Sequence, residues 1–165
     1  MSVDTYLEKT SPDRYNLIFP RLPSNTDLAL NHRLVLSIFG SLVPGITLDI
    51  VTKAWQGMTV PDPSAQLQYD DWNISFMVDS DLKNWLLIYD WLMYIHDNNT
   101  HSYNKNFTVD ASLVMINQFN NPEVTFIFKN MFPVSLSSID LSSRNSQSYL
   151  ECTCTFKYVR FEVER

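Results

Sequence analysis

Residues 67–78 contain the pattern that most limits what this chain can fold into. Trp72, Ile74, Phe76 and Val78 recur at every second position, and polar Asn73 and Ser75 lie between the first three. Successive side chains of a β-strand point to opposite faces, so this alternation predicts a strand with one face in a core and the other toward solvent.

A helix with apolar side chains on two sides follows this strand. Asp79, Ser80 and Asp81 supply a capping oxygen and negative charge, which favour a helix N-terminus, and the spacing after them predicts a helix over about residues 81–96. One stripe comprises Leu82, Trp85, Leu86, Tyr89, Leu92 and Met93, and a second comprises Ile88, Trp91 and Ile95. A helix on a monomer surface needs only one stripe. We therefore expect the chain's own sheet to cover one side, and a neighbouring subunit or a long loop to cover the second stripe.

Further apolar patterns predict that strands dominate the rest of the chain. The segments concerned are 15–19, 34–38, 46–55, 109–119, 123–130, 134–142 and 148–163. In the last segment the apolar positions change parity after Tyr158, which predicts a bulge or a move into a different environment. Residues 56–65 contain Pro61 and Pro63 and predict an extended loop. The sum is a mainly β fold, an antiparallel barrel or sandwich of about seven strands with one flanking helix.

The composition favours a single domain that does not bind nucleic acid tightly. With 165 residues, 45% of them apolar, the chain can bury a core of its own, and we expect residues 1–14 to form an N-terminal arm. The formal charge is −6 and the basic residues are scattered, whereas general nucleic-acid binding needs clustered Lys and Arg. We expect neither a signal peptide nor a membrane span, because no apolar stretch approaches the ~20 residues that a span requires.

The residue types that usually carry catalysis or bind metals are isolated in this sequence. His32, His96 and His101 lack the spacing of a zinc-binding helix, and no hydrolase or nucleotide-binding motif is present. Cys152 and Cys154 lie two residues apart on one strand face, where a mutual disulfide is sterically poor, so we expect reduced core thiols. We therefore expect no catalytic residue, metal or cofactor, and a structural rather than an enzymatic role.

Several segments, taken in order, resemble one known family. The longest is YDDWNISFMVDSDLKNWLLIYDWLMYIHDN at residues 69–98; the others are LVPGI at 42–46, MFPVSL at 131–136 and FKYVRFEV at 156–163. Together they resemble the tail-tube-fold proteins of T-even-type contractile bacteriophages. Residues 78–92 are most similar to the members that complete the tail and stabilise the sheath at the neck.

The resemblance implies a structural virion protein whose copies form a hexameric ring around an axial channel. DNA would pass through this channel without specific binding. The implied partners are other copies of the chain, the tail tube, the sheath and the neck or portal-side proteins, and the implied location is the virion tail, after assembly in the host cytoplasm. The loop after residue 55 is then expected to reach a neighbouring subunit or ring. The candidate interface residues are Trp55, Met58, Val60, Ile88, Trp91 and Ile95, and the candidate channel-facing acids are Asp70 and Asp71.

Two alternatives remain open from the sequence. The major tail tube protein shares the fold and would stack on itself without limit, whereas a terminal ring must stop. A monomeric ligand-binding β-barrel would instead place Trp55, Tyr69 and Trp72 around a pocket, although aromatic side chains on strand faces are more often part of a core.

Overall fold

Nine strands and two helices make up the part of the chain that the computed structural model describes, which is residues 13–19, 22–23, 28–98, 107–139, 141 and 149–165. The strands are β1 (Tyr15–Ile18), β2 (Ile38–Ser41), β3 (Ile46–Trp55), β4 (Met58–Tyr69), β5 (Trp72–Met77), β6 (Val109–Ile116), β7 (Pro122–Leu136), β8 (Glu151–Lys157) and β9 (Arg160–Glu164), and the helices are α1 (Leu28–Ser37) and α2 (Lys83–Asn98). The strand pairs are antiparallel, so the expected mainly β class is confirmed.

The long strand β7 joins two four-stranded sheets, so that the fold is a sandwich closed at one corner. Residues 125–129 of β7 pair with β9 and extend a sheet in which β6 and β1 follow on the other side. Residues 132–136 pair with β8 and extend a second sheet that continues through β5 to β2. Between the two halves, Asn130 has a φ of 53°, a conformation that Asn tolerates and that lets the strand change direction.

The parity change after Tyr158 marks the same corner, as the sequence predicted. β8 ends at Lys157 in one sheet, and β9 begins at Arg160 in the other. The backbone N–H of Val159 donates to the carbonyl oxygen of Lys129 at 3.0 Å, which holds the connection against the middle of β7. The chain therefore moves from one sheet to the other within two residues.

Aromatic side chains from both sheets fill the core. Trp72, Ile74 and Phe76 of β5 are fully buried, which confirms the alternation that predicted this strand. The indole of Trp72 stacks on the ring of Phe128 at a centroid distance of 4.2 Å, and its N–H donates to Ser41 Oγ at 3.0 Å. The inner faces of the two sheets thus meet through large, interlocking rings.

The segment predicted as a strand at residues 34–38 is mostly helical, and that prediction was wrong. α1 runs to Ser37 and packs against α2, with Leu34 in the core and Val35 beside it. Leu36, 71% exposed, lies on the outer side. Three alternating positions are too few to separate a period of two from a period of 3.6 once another helix covers one side.

The extended loop predicted at residues 56–65 was also wrong, because residues 58–65 belong to β4 and residues 56 and 57 alone form a turn. Pro61 pairs with Thr52 and Pro63 pairs with Ile50. Prolines at every second position remove N–H groups from only one side of a strand, and in the described part of the chain β4 pairs with a strand on one side alone. The segment at residues 134–142, predicted as a separate strand, is in its first part the end of β7.

The single-domain assignment stays a prediction, and residues 1–12 of the predicted arm lie outside the described residues. Arg14 is held by the sheet: its carbonyl oxygen accepts from the N–H of Ile116 at 3.1 Å, and its Nη1 donates to the carbonyl oxygen of Asn117 at 3.1 Å. In the described part of the chain, neither helix is long and apolar enough to cross a membrane.

Candidate functional site

The pair β3–β4, called the hairpin below, forms a sheet of its own that joins neither sheet of the sandwich. Its register runs from the pair Ile46–Tyr69 at the root to the pair Trp55–Met58 at the tip. Gln56 and Gly57 make the connecting turn with φ values of 47° and 80°, as a two-residue hairpin turn requires. An isolated two-stranded hairpin is marginally stable in water, so an arm of this kind gains order from a partner.

The hairpin exposes apolar side chains along its length, and three of them lie at or near the tip. Trp55 and Met58 are both 66% exposed, and Val60 is also exposed. Because Trp55 lies opposite Met58, and Val60 lies two residues further along, the register puts all three on one face. Large exposed apolar patches mark interaction sites. The structure thus brings three of the sequence-predicted interface residues together, and their role in a subunit interface stays a prediction.

The root of the hairpin is fixed to the sandwich at its closed corner. The N–H of Asp70 donates to the carbonyl oxygen of Gly45 at 3.1 Å, and the hydroxyl of Tyr158 donates to the carbonyl oxygen of Asp70 at 2.8 Å. The ring of Tyr69 packs edge-on against Tyr158 and Phe161, at centroid distances of 5.9 and 5.5 Å. Burial, and then the nearby Asp70 charge, raise the pKa of Tyr158 to about 12, so its hydroxyl stays protonated at neutral pH.

Asp70 and Asp71, the candidate channel-facing acids, are exposed at this root. A Cβ on Gly45 would lie 2.6 Å from Asp70 Oδ2, so the carboxylate fills the space that the glycine leaves. An oxygen of Asp71 lies 3.3 Å from Lys157 Nζ, an ion pair whose side chains are about half exposed. Both acids have local contacts that shape the hairpin root, and a channel-facing role stays a prediction for them.

The two apolar stripes of α2 have the opposite roles from those expected. Ile88 is fully buried and Trp91 is 1% exposed, so both lie in the chain's own core and cannot line a subunit interface; this expectation was wrong. Ile95 packs at the edge of that core. The indole N–H of Trp91 donates to the carbonyl oxygen of Phe107 at 3.0 Å, which anchors this side of the helix. The exposed side, called the outer stripe below, consists of Leu82, Leu86, Tyr89 and Met93.

Asn84 fixes the start of α2, a role that the sequence reading missed. Its amide is 2% exposed, with Oδ1 accepting from the N–H of Asp79 at 3.0 Å. Its Nδ2 donates to the carbonyl oxygen of Met77 at 2.7 Å and to Ser37 Oγ at 3.1 Å. One side chain therefore joins β5, α1 and α2. Its only sequence signal is a polar residue among the apolar positions of an amphipathic helix.

A groove lies between β1 and α1 and is called the β1–α1 groove below. It consists of two adjoining pockets of about 540 and 750 Å³ that share Asn16, Leu17, Val35 and Leu36. Its mouth carries exposed Ile18 and Leu36, together with residues of the β6–β7 turn such as Pro122. The three segments that form it are distant in sequence, so no linear pattern could have indicated it.

The alternative ligand pocket of Trp55, Tyr69 and Trp72 is not formed. Trp55 lies at the hairpin tip, Tyr69 at the root and Trp72 in the core, so the three rings belong to separate environments. In the part of the chain that the structure describes, no three His, Cys, Asp or Glu side chains group as metal ligands. Burial raises the pKa of the Cys154 thiol well above its ordinary value, which makes it a poor nucleophile at neutral pH. His101 lies outside the described residues.

Three comparisons place the fold among known proteins. The sequence model of the family described as phage tail tube protein matches residues 13–164. The tail tube terminator protein of Enterobacteria phage T4 is 29% identical over 139 residues, which cover 74% of each chain. The tube terminating cap of the anti-feeding prophage has a TM-score of 0.66 at 15% identity, covering 99% of both chains. The sheath/tube terminator of an extracellular contractile injection system, named PVC, has a TM-score of 0.63 at 16% identity, covering 96% of this chain and 99% of that one.

Proposed function

The chain belongs to the phage tail tube protein family, and we propose that it forms the terminal ring of a contractile tail tube, at the neck end. As a member of this family it is a structural component of a virion tail and not an enzyme. The observation that carries the proposal of a terminal ring is the likeness to the tail tube terminator of phage T4, which covers 74% of each chain. In this role the chain would complete the tube and meet the sheath and the neck proteins.

We propose that the ring is hexameric and encloses the DNA channel, and that it assembles in the host cytoplasm. The surfaces on the protomer support a ring. Within the described ranges, β1, β2 and β9 each have one edge without a strand partner, and the hairpin exposes apolar side chains. Head-to-tail contacts between unlike surfaces of identical copies close into rings when the rotation between copies permits. A formal charge of −6 suits a channel through which DNA moves without being held.

Within this ring, we propose that Trp55, Met58 and Val60 contact the neighbouring subunit and that Asp70 and Asp71 face the channel. The contact with the neighbouring subunit is supported by the exposure of all three side chains on one hairpin face.

The channel-facing role of the two acids is tested by charge reversal. Asp70→Lys and Asp71→Lys should change tail assembly or DNA passage, with Asp90→Lys on α2 as a control at an exposed acid. Unchanged virion yield and infectivity would count against a channel role.

The major tail tube protein is the second candidate, favoured by the family description itself and by a likeness to the PVC sheath-tube complex, whose TM-score is 0.56 at 15% identity. The two roles differ in whether the assembly continues to grow by stacking. A tube protein stacks on itself without limit, whereas a terminal ring binds one tube end and stops growth there.

The test is the mass of the purified chain in solution, with negative-stain images of the same sample. Closed rings of about 115 kDa, six times the 19.2 kDa of one chain, support the terminal ring. Adding the chain to growing tubes of the cognate tube protein should then shorten them. Tubes of unlimited length from this chain alone would identify it as the tube protein. A chain that stays monomeric and does not bind tube ends would refute both roles.

A further inference from the structure

The hairpin tip and the β1–α1 groove are two apolar surfaces of one chain that lie apart. On β7, Pro122 and Thr125 line the groove, whereas Lys129 pairs with Arg160 beside the hairpin root. Seven residues separate Pro122 from Lys129, which is about 23 Å along a strand. The tip is 66% exposed at both Trp55 and Met58, so it does not occupy the groove of its own chain. Among the residues that the structure describes, a single copy therefore leaves both surfaces open.

The dimensions of the hairpin and the groove are compatible. β3 and β4 each provide at least ten residues, so the tip stands about 30 Å from the root, and a globular chain of this length is about 40 Å across. The hairpin therefore reaches over most of a neighbouring copy. Pockets of about 300–1,000 Å³ accept drug-sized groups, and the larger part of the groove, about 750 Å³, has room for an indole and a thioether.

We infer that the hairpin tip of one copy seats Trp55 and Met58 in the β1–α1 groove of the next copy in the same ring. The inference rests on the proposed ring. A second copy is the occupant that matches both surfaces: each chain contributes one tip and one groove, so a closed ring leaves none of either exposed. A contact of this kind joins unlike surfaces, as a cyclic assembly requires. Contacts directed around the ring, rather than along its axis, also let growth stop after one ring.

The contact makes the groove inaccessible in the ring and accessible in the monomer, and a single cysteine reports on this difference. Leu36→Cys places a thiol at the groove mouth, at a side chain that is 71% exposed. The native Cys152 and Cys154 are buried, so the new thiol dominates modification by a maleimide. Tyr89→Cys, on the outer stripe of α2, is the matched control. The rate is measured on the full-length monomer and on the isolated ring, assembled alone or on tube ends.

The expected result is a reaction at residue 36 that is at least tenfold slower in the ring than in the monomer, with little change at residue 89. Trp55→Ala with Met58→Ala should weaken assembly and leave the melting temperature of the monomer within about 1 °C, because the tip has no role in the core. Equal rates at residue 36 in ring and monomer would overturn the contact while leaving the ring intact. Slow reaction already in the monomer would also overturn it, since another segment of the chain would then fill the groove.

Oxidation of the double variant Met58→Cys, Leu36→Cys gives an independent readout. The contact predicts a ladder of disulfide-linked species that ends at the full ring, and neither single variant should produce it. A ladder from Met58→Cys, Tyr89→Cys instead would place the tip on α2 of the neighbour and overturn the inference. A chain that forms no ring under any of these conditions would refute the proposed function, and this contact with it.

Discussion

Asn84 gives the most sharply defined prediction for the protomer itself. Its buried amide accepts from the N–H of Asp79 and donates to the carbonyl oxygen of Met77 and to Ser37 Oγ, at 3.0, 2.7 and 3.1 Å. Asn84→Ala removes all of these contacts. Asn84→Asp keeps the shape of the side chain and replaces the donating nitrogen by an oxygen.

The expected magnitude follows from the groups that lose their partners. Each polar group left without a hydrogen bond costs about 1–3 kcal/mol, so Asn84→Ala should lower the free energy of unfolding by about 4 kcal/mol. In a domain of this size 1 kcal/mol corresponds to ~2–4 °C, so the melting temperature should fall by about 8–16 °C. Asn84→Asp should cost more at pH 8, because it puts a charged oxygen 2.7 Å from the Met77 carbonyl oxygen in a buried site.

Thermal unfolding at pH 8 and pH 5 tests this reasoning. In the folded state, burial and the facing carbonyl raise the pKa of the introduced carboxyl above its ordinary value, so the folded chain binds the proton more tightly than the unfolded chain. The Asn84→Asp variant should therefore gain stability relative to wild type as the pH falls. A smaller loss than for Asn84→Ala at pH 8, or a loss that does not depend on pH, would refute the assigned hydrogen bonds.

Three further predictions concern the hairpin root and α2. Gly45→Ala puts a Cβ 2.6 Å from Asp70 Oδ2 and should lower the free energy of unfolding by about 1 kcal/mol, a loss that Asp70→Ala in the same chain should remove in denaturant titrations. Because the pKa of Tyr158 is raised to about 12, the unfolded chain releases this proton first, so stability should fall as the pH rises from about 10 to about 12. Tyr158→Phe should lose this component of the pH dependence. If stability plotted against pH runs parallel for the variant and the wild type, the prediction is contradicted. Ile88→Ala should cost ~2–5 kcal/mol and Leu86→Ala under ~1 kcal/mol in thermal unfolding, and equal costs would mean that the outer stripe is packed in the monomer.

The parts of the fold that the sequence predicted are those with one long and unambiguous period. The alternation of Trp72, Ile74, Phe76 and Val78 has four apolar positions, one more than the segment at residues 34–38, and polar Asn73 and Ser75 lie between the first three. The parity change after Tyr158 is a direct consequence of a chain that leaves one sheet for another. α2 was predictable for the same reason, because several turns repeat the helical spacing. The side of α2 that faces the core was not predictable, because two apolar stripes do not indicate which of them is buried.

One of the elements that pack against α2 is α1, a segment whose own pattern is ambiguous. Leu34 belongs to the same core as Ile88 and Val35 packs against that core, whereas Leu86 is exposed. The prediction of a strand at residues 34–38 therefore leaves out one of the elements that pack against α2. The β1–α1 groove could not be predicted from the sequence for a related reason. Its walls come from β1, α1 and the β6–β7 turn, and only the tertiary fold brings these together.

In the proposed ring, the fixed root of the hairpin and its exposed tip would have different roles. A head-to-tail contact closes into a ring only when the rotation between successive copies is correct, and here the hairpin's direction would set that rotation. Its direction depends on the hydrogen bond from Asp70 to Gly45, on the Tyr158 hydroxyl and on the packing of Tyr69, none of which needs to touch a neighbour. Substitutions at the root that keep the protomer folded should then yield open arcs or rings of irregular size. Substitutions at the tip should instead yield monomers, because they remove the contact without changing its direction.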